Sequence, residues 1–596
     1  VIDYRAYHQF SKKKVFFRDT LPIGFRQGQR SPSNHSPKIP QGETMKTPAI
    51  TFLAAILLTA GCTSEIGPTA DHQEKKEQQS PAADRYVEQE TTAVPQALQV
   101  RAQPSVRNRT VVSFADDVRP PVPAATAMNR ESYDDTGENR FTNSLHHPLS
   151  TFSVDVDTAS YANIRRLLTG GSLPPAGAVR IEEMINYFDY DYPQPEGAPF
   201  SLTTEMGPSP YNQGYRLVSI GIQGRNLDKE SLPPSNLVFL VDVSGSMGDA
   251  NKLPLLQQAM KMLVEQLDGG DRVAIVAYAG NDRIVLSPTA GSARERINDA
   301  IDSLASGGST HASQGIHTAY YLARQALLPN GNNRVILASD GDFNVGVTSR
   351  GELRRLVEEH RQSGIFLSVL GFGRGNYHDD TMELLADRGN GNYAYIDSLL
   401  EAKKVLVRQL SSTLFTLARD VKIQVEFNPA RVGAYRLIGY ENRRLQGKDF
   451  LDDGKDAGEI GIGHQVSALY ELIPAGHDDI PEIGPLKYLR PDQSSSGAAA
   501  EQFNLKLRYM LPQQEHSLLL ETSVEDPPVD PSTTSESFRF AAAVAGFGMY
   551  LQQSPHLGTA TLPEMLELGR SARGHDLHGY RAECLRLKEM AELLHR

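Results

Sequence analysis

Residues Asn236–Gly248 read NLVFLVDVSGSMG, an apolar run from Leu237 to Val241 that passes directly into Asp242, Ser244 and Ser246, with Gly245 and Gly248 interleaved. An unbroken apolar run of that length fits a strand buried on both faces of a parallel sheet. In open α/β sheets, ligands bind just beyond the carboxyl ends of such strands. Three side-chain oxygens at alternate positions of a glycine-loosened turn can converge on one point. With no nitrogen or sulfur among them, they suit a hard cation such as Mg²⁺. Two further oxygen donors come later in the chain. Gly307–Thr310, GGST, is a loop running into a helix and offers Thr310. A second apolar strand, Arg334–Ser339, ends in Asp340, followed by Gly341.

Asp-x-Ser-x-Ser, a later Thr after a Gly pair and a later Asp-Gly at a strand end together resemble the metal-ion-dependent adhesion site (MIDAS) of von Willebrand factor type A (VWA) domains. All five positions match. The resemblance implies that Ser244, Ser246 and Thr310 ligate Mg²⁺ or Mn²⁺ directly or through water, with Asp242 and Asp340 as supporting acids. It also implies one coordination position left for an Asp or Glu carboxylate of a protein partner. Glycines in such a module line the loops beside the metal, so GFGRGN at Gly371–Asn376 reads as loop and not as a nucleotide fingerprint.

The surrounding pattern alternates strand and helix. Helices are expected at Leu253–Leu267, Ala293–Leu304, His311–Leu328, Arg350–Gln362 and Asp379–Asp387, with strands at Val273–Tyr278, Ile365–Gly371 and Asn392–Ile396. Arg283–Leu286 reads as a short strand turned back along one edge, and Ser398–Leu417 as a closing helix. This alternation predicts a doubly wound, mostly parallel six-stranded α/β sheet over residues 231–418. The period then switches to strand over 419–530 and back to helix over 531–596.

Ahead of the module, residues 150–230 offer a strand at Thr151–Val156, helices at Thr158–Leu168 and Ala178–Phe188, and strands at Phe200–Met206 and Tyr215–Gln223. These strands are too few to be stable alone. They are therefore predicted to share one β-sandwich with the strands that follow, the module being inserted between them. Ser153–Tyr161, SVDVDTASY, echoes VDVSGSM but lacks a companion Thr or Asp. Asp157 or Thr158 is expected to cap the following helix rather than build a second metal site. The segments flanking the module resemble the N-terminal region and the C-terminal domain of unknown function of a family of bacterial VWA lipoproteins.

At the amino end, residues 1–44 are read as an upstream extension and 45–61 as a signal peptide, with Lys46 before the short apolar stretch Pro48–Ala60. Cys62 after Ala60-Gly61 resembles a lipobox cysteine, the expected site of lipidation, and Thr63 in place of Asp favours the outer membrane. Residues 62–149, rich in Gln, Glu, Pro, Ala and Thr, are expected to form a disordered tether. A net charge of −12 gives no global basic field for nucleic acid. Two cysteines, Cys62 and Cys584, exclude a disulfide scaffold, and the absence of a phosphate-binding Gly-Lys-Ser/Thr loop argues against a nucleotide. The expectation is a non-catalytic cell-envelope lipoprotein that binds a protein partner through divalent metal. A metal-dependent hydrolase and a scaffold stabilised by metal are the alternatives.

Overall fold

The computed structural model describes residues 131–133, 137–307, 313–341, 350–374, 377–482, 484, 500–525 and 534–595. The expected leader, Cys62 and Thr310 lie outside the described residues.

The described part opens with β1 (Thr142–Asn143) and β2 (Leu149–Ser153), then α1 (Ala159–Thr169), α2 (Ile181–Asn186), β3 (Phe200–Pro208) and β4 (Arg216–Gly224). The inserted module follows: β5 (Ser235–Asp242), α3 (Leu253–Val264), β6 (Arg272–Ala279), β7 (Asn281–Ala290), α4 (Arg294–Asp302) and α5 (Ser313–Gln325). It continues through β8 (Asn332–Ser339), α6 (Arg350–Gln362), β9 (Phe366–Gly371), α7 (Asp379–Arg388) and β10 (Tyr393–Tyr395), closing with α8 (Leu399–Lys403) and α9 (Leu410–Leu414). Beyond it run β11 (Thr416–Phe427), β12 (Val432–Ile438), β13 (Arg444–Leu445), β14 (Gly458–Gly461), β15 (Gln465–Pro474), β16 (Glu501–Met510) and β17 (Leu518–Glu525). Helices α10 (Glu536–Gln552), α11 (Leu562–Ser571) and α12 (Tyr580–His595) end the chain.

The module sheet has the order β10-β9-β8-β5-β6-β7. Its strands are parallel except β7, which folds back antiparallel on β6. Every residue of β5 is buried, as expected of a strand with helices on both faces.

Outside the module, two antiparallel sheets among the described residues run β1-β12-β15-β4-β3 and β13-β2-β11-β16-β17. Each mixes strands from before and after the insertion, so the shared sandwich holds. Phe427 of one sheet stacks on Tyr435 of the other at 4.1 Å. Phe152, Val218, Ile220, Val425, Leu505 and Tyr470 fill the space between the sheets. Residues of opposite parity, Leu217, Ile438 and Leu469, face outward and are covered by α2 and α10, the period-two alternation giving each strand two apolar faces. Ser535 starts α10 by accepting from Phe538 N at 3.0 Å, and Thr561 with Glu564 forms a capping box on α11.

The module enters and leaves at one place. Gly463 N donates to Arg225 O at 3.0 Å, and Ile462 N donates to Phe415 O at 2.9 Å.

Several expectations need correction. Order reaches back into the stretch read as tether: β1 pairs with β12, and Asn139 Nδ2 donates to Leu437 O at 3.2 Å and Gly439 O at 2.7 Å. A two-residue strand secured by side chains leaves no periodic signal. Neither Asp157 nor Thr158 caps α1: Thr158 makes no side-chain cap bond, and Asp157 Oδ1 accepts from Tyr393 N at 2.8 Å. It fixes β10 to the N-terminal region instead. The helix expected at Ala178–Phe188 shortens to α2 after a 3₁₀ turn at Ala176–Ala178. The edge strand β7 is longer than Arg283–Leu286. The closing helix breaks at a π-helical turn, Lys404–Arg408, where Lys404 Nζ turns inward to donate to Tyr187 O at 2.8 Å.

Candidate metal centre

The carboxyl edge of the module sheet positions the site. Asp242 ends β5, with Tyr278 of β6 beside it and the end of β8 on its other flank. Its side chain is fully buried. Oδ1 accepts from Ser244 N at 2.9 Å, and Oδ2 accepts from Ser339 Oγ at 3.1 Å. The same Ser339 oxygen accepts from Gly341 N at 3.2 Å, so one hydroxyl ties the two strand ends together. Burial pushes the Asp242 carboxyl up to about 6; the hydrogen bonds from Ser244 act against it and the Asp340 charge adds to it.

On the turn beyond, Ser244 Oγ and Ser246 Oγ lie 3.0 Å apart. Ser244 is buried and Ser246 exposed, which opens the pair to solvent on one side. Octahedral Mg²⁺ with oxygens at about 2.0–2.1 Å spaces adjacent ligands about 2.9 Å apart. The serine pair matches that spacing, every donor is oxygen, and an acid backs the pair. These residues fit a hard divalent cation.

Asp340 follows β8 at the same edge. Its Oδ2 accepts from Lys252 Nζ at 2.9 Å. Lys252, immediately before α3, is itself buried. Gly373 (φ +86) makes room for its stem: a Cβ there would fall 2.3 Å from Lys252 Cε. An acid already engaged by an ammonium suits a supporting role better than direct ligation.

The structure thus gathers Asp242, Ser244, Ser246 and Asp340 at one sheet edge. Gly307 N donates to Val243 O at 2.8 Å, which anchors the start of the GGST stretch on the Asp242 turn; Thr310 lies outside the described residues. Sequence reading missed Ser339 and Lys252. Ser339 had a signal, as the hydroxyl adjoining Asp340 at a strand end. Lys252 had none, because only the fold brings it to Asp340.

Among the described residues, the carboxylates with oxygens mutually within 4.8 Å are those of Asp155, Glu183 and Glu383. Asp155 belongs to the SVDVDTASY stretch, which lacked companions in sequence; they arrive from α2 and α7. Guanidiniums already answer this triad. Arg443 Nε lies 3.0 Å from Asp155 Oδ2, Arg443 Nη2 3.5 Å from Glu383 Oε1, and Arg180 pairs with Glu183.

Comparison with known proteins places a von Willebrand factor type A domain over residues 236–409, a von Willebrand factor match over 127–219, and the family "Uncharacterized protein YfbK, C-terminal" over 412–594. The chain is 43% identical over 472 residues to "Uncharacterized protein YfbK" of Escherichia coli, spanning 77% of this chain and 81% of that protein. It is 29% identical over 148 residues to inter-alpha-trypsin inhibitor heavy chain H2 of Homo sapiens, covering 24% of this chain and 16% of that protein. Among solved structures it is similar to "von Willebrand factor type A from Catenulispora acidiphila", at 16% identity and a TM-score of 0.37, over 65% of this chain and 89% of that one.

Proposed function

The chain belongs to the YfbK family of von Willebrand factor type A proteins, and on that premise we propose that it captures a protein partner at the cell envelope through a divalent metal held at the Asp242 turn. The observation that carries this reading is the pair of seryl oxygens, 3.0 Å apart, with a buried carboxylate behind them. Ser244 and Ser246, joined by Thr310, would hold the ion. Asp242 fixes the turn through the Ser244 amide, and Asp340 supports the site from β8. When bound, Mg²⁺ or Mn²⁺ supplies a positive centre for an incoming Asp or Glu carboxylate. Lys252 offsets one of the two acids, which favours a residual positive charge on the loaded site. The exposed side of Ser246 gives the partner its approach. The role is binding and not turnover.

The test is capture from membrane extracts by the full chain in Mg²⁺ against EDTA, with partners identified by mass spectrometry. The reading expects bands that depend on Mg²⁺ and vanish in a Ser244→Ala/Ser246→Ala variant of unchanged thermal stability. Equal capture in EDTA would overturn it. Cys62 is assigned here as the lipidated residue of an outer-membrane anchor. Labelled palmitate should enter the wild type and not Cys62→Ser, and the variant should leave the membrane fraction.

A further inference from the structure

A cleft of about 510 Å³ opens among α7, the turn after β12, the start of α2 and the end of α10. Six carboxylates line it: Glu138, Glu182, Asp380, Glu383, Asp387 and Glu441. Among the described residues, two guanidiniums, Arg140 and Arg180, share the lining. Arg443 reaches Asp387 from behind at 2.7 Å, and acids remain in excess even with it counted.

Excess acid alone is a common surface feature, but here it coincides with buried acceptors that lack donors. Glu182 is 1% exposed, and its Oε2 accepts no hydrogen bond among the described residues. Gln552 donates through Nε2 to Val179 O at 2.7 Å, while its buried Oε1 has no donor among the described residues. Buried oxygens are rarely left without a partner, because desolvation then goes uncompensated. Burial and the neighbouring Glu441 charge both raise the Glu182 carboxyl, and a backbone hydrogen bond from Tyr440 acts against them. The inner wall shows which cation this region accepts: Glu183, Asp379, Glu383 and Asp387 already hold the guanidiniums of Arg180 and Arg443. Planar guanidinium forks match carboxylate geometry, and the cleft volume suits an amino-acid-sized ligand.

We propose that this cleft binds an organic cation of the guanidinium class, its N–H donors received by Glu182 Oε2 and Gln552 Oε1 and its charge balanced by Glu441. The site goes beyond metal-dependent capture and uses none of its residues.

Isothermal titration of the full chain with agmatine tests it, beside acetyl-Ala-Arg-Ala-amide and CaCl₂. Saturable one-to-one binding of a guanidinium probe is expected, weakened about tenfold or more in Glu182→Gln and in Glu441→Gln. The partly exposed Glu441 keeps the test usable if Glu182→Gln fails to fold. Binding must persist in EDTA and in Ser244→Ala/Ser246→Ala, so that failure of the metal reading leaves this one standing. Uptake of the peptide assigns the ligand to a protein side chain, and uptake of agmatine alone to a free small molecule. No saturable heat from either guanidinium probe at millimolar concentration, undiminished binding by Glu441→Gln, or binding of Ca²⁺ alone would overturn the proposal.

Discussion

Arg443 meets Asp155 at 3.0 Å, Asp157 and Glu383 at 3.5 Å and Asp387 at 2.7 Å, so one guanidinium holds acids from the N-terminal region and from α7 together. Removing a partner from a buried ion cluster leaves uncompensated charge. Arg443→Met should cost about 3–5 kcal/mol, read from denaturant midpoints, and part of the loss should return as pH falls and protons neutralise the stranded acids. His360 acts in the opposite sense. It stacks on Tyr320 at 3.8 Å, and Arg324 Nη2 lies 3.0 Å from its Nδ1, a contact only the neutral ring can accept. Burial first, then the Arg324 charge, lowers it to about 4. The unfolded chain therefore binds the extra proton between about 6.5 and 4. The His360 contribution is complete above that window and is lost as pH falls through it. Measured as the stability difference between wild type and His360→Phe across that range, it should amount to about 1–2 kcal/mol after solvent screening. At this scale, Asp242, Ser244, Ser246 and Asp340 were legible because strand-end position and residue type are both local. Lys252 and Arg443 were not, since their acids come from distant parts of the chain.

Among elements, β2 and β4 decide whether the sandwich closes. β11 pairs with β2 on one edge and β16 on the other, and β15 lies between β4 and β12. Residues 412–596 expressed alone would leave β11 and β15 each with an open edge, a template for aggregation. That fragment should show no cooperative thermal transition by circular dichroism, and co-expression with residues 137–224 should restore one. A cooperative transition of the fragment alone would contradict this. Sharing of the sandwich was readable from a shortage of leading strands. β1 was not, because two residues held by Asn139 and by Ser144, whose Oγ donates to Gly433 O at 3.1 Å, carry no alternation, and neither was the π-helical break after α8, where Lys404 donates to Tyr187 O.

For the molecule as a whole, Cys584 on α12 is fully buried, and burial raises its thiol. It packs with α1, α2 and α10 in one cluster, far along the chain from the module. In Cys62→Ser, labelling of the Cys584 thiol in native buffer should therefore be slow and should accelerate with denaturant along the global unfolding curve; fast labelling would show that α12 opens separately. The paired anchorage of the module at Ile462 and Gly463 has a mechanical side. β5 carries the serine turn about 25 Å from its starting residue, at about 3.3 Å per residue. Tension applied at that tip by a partner would reach the host through this turn and also through the side-chain ties of Asp157 to Tyr393, Arg443 to Glu383 and Asp387, and Lys404 to Tyr187. At the turn the two chains leave side by side, β4 into one sheet and β11 into the other, so a pull on the module is shared by both layers of the sandwich.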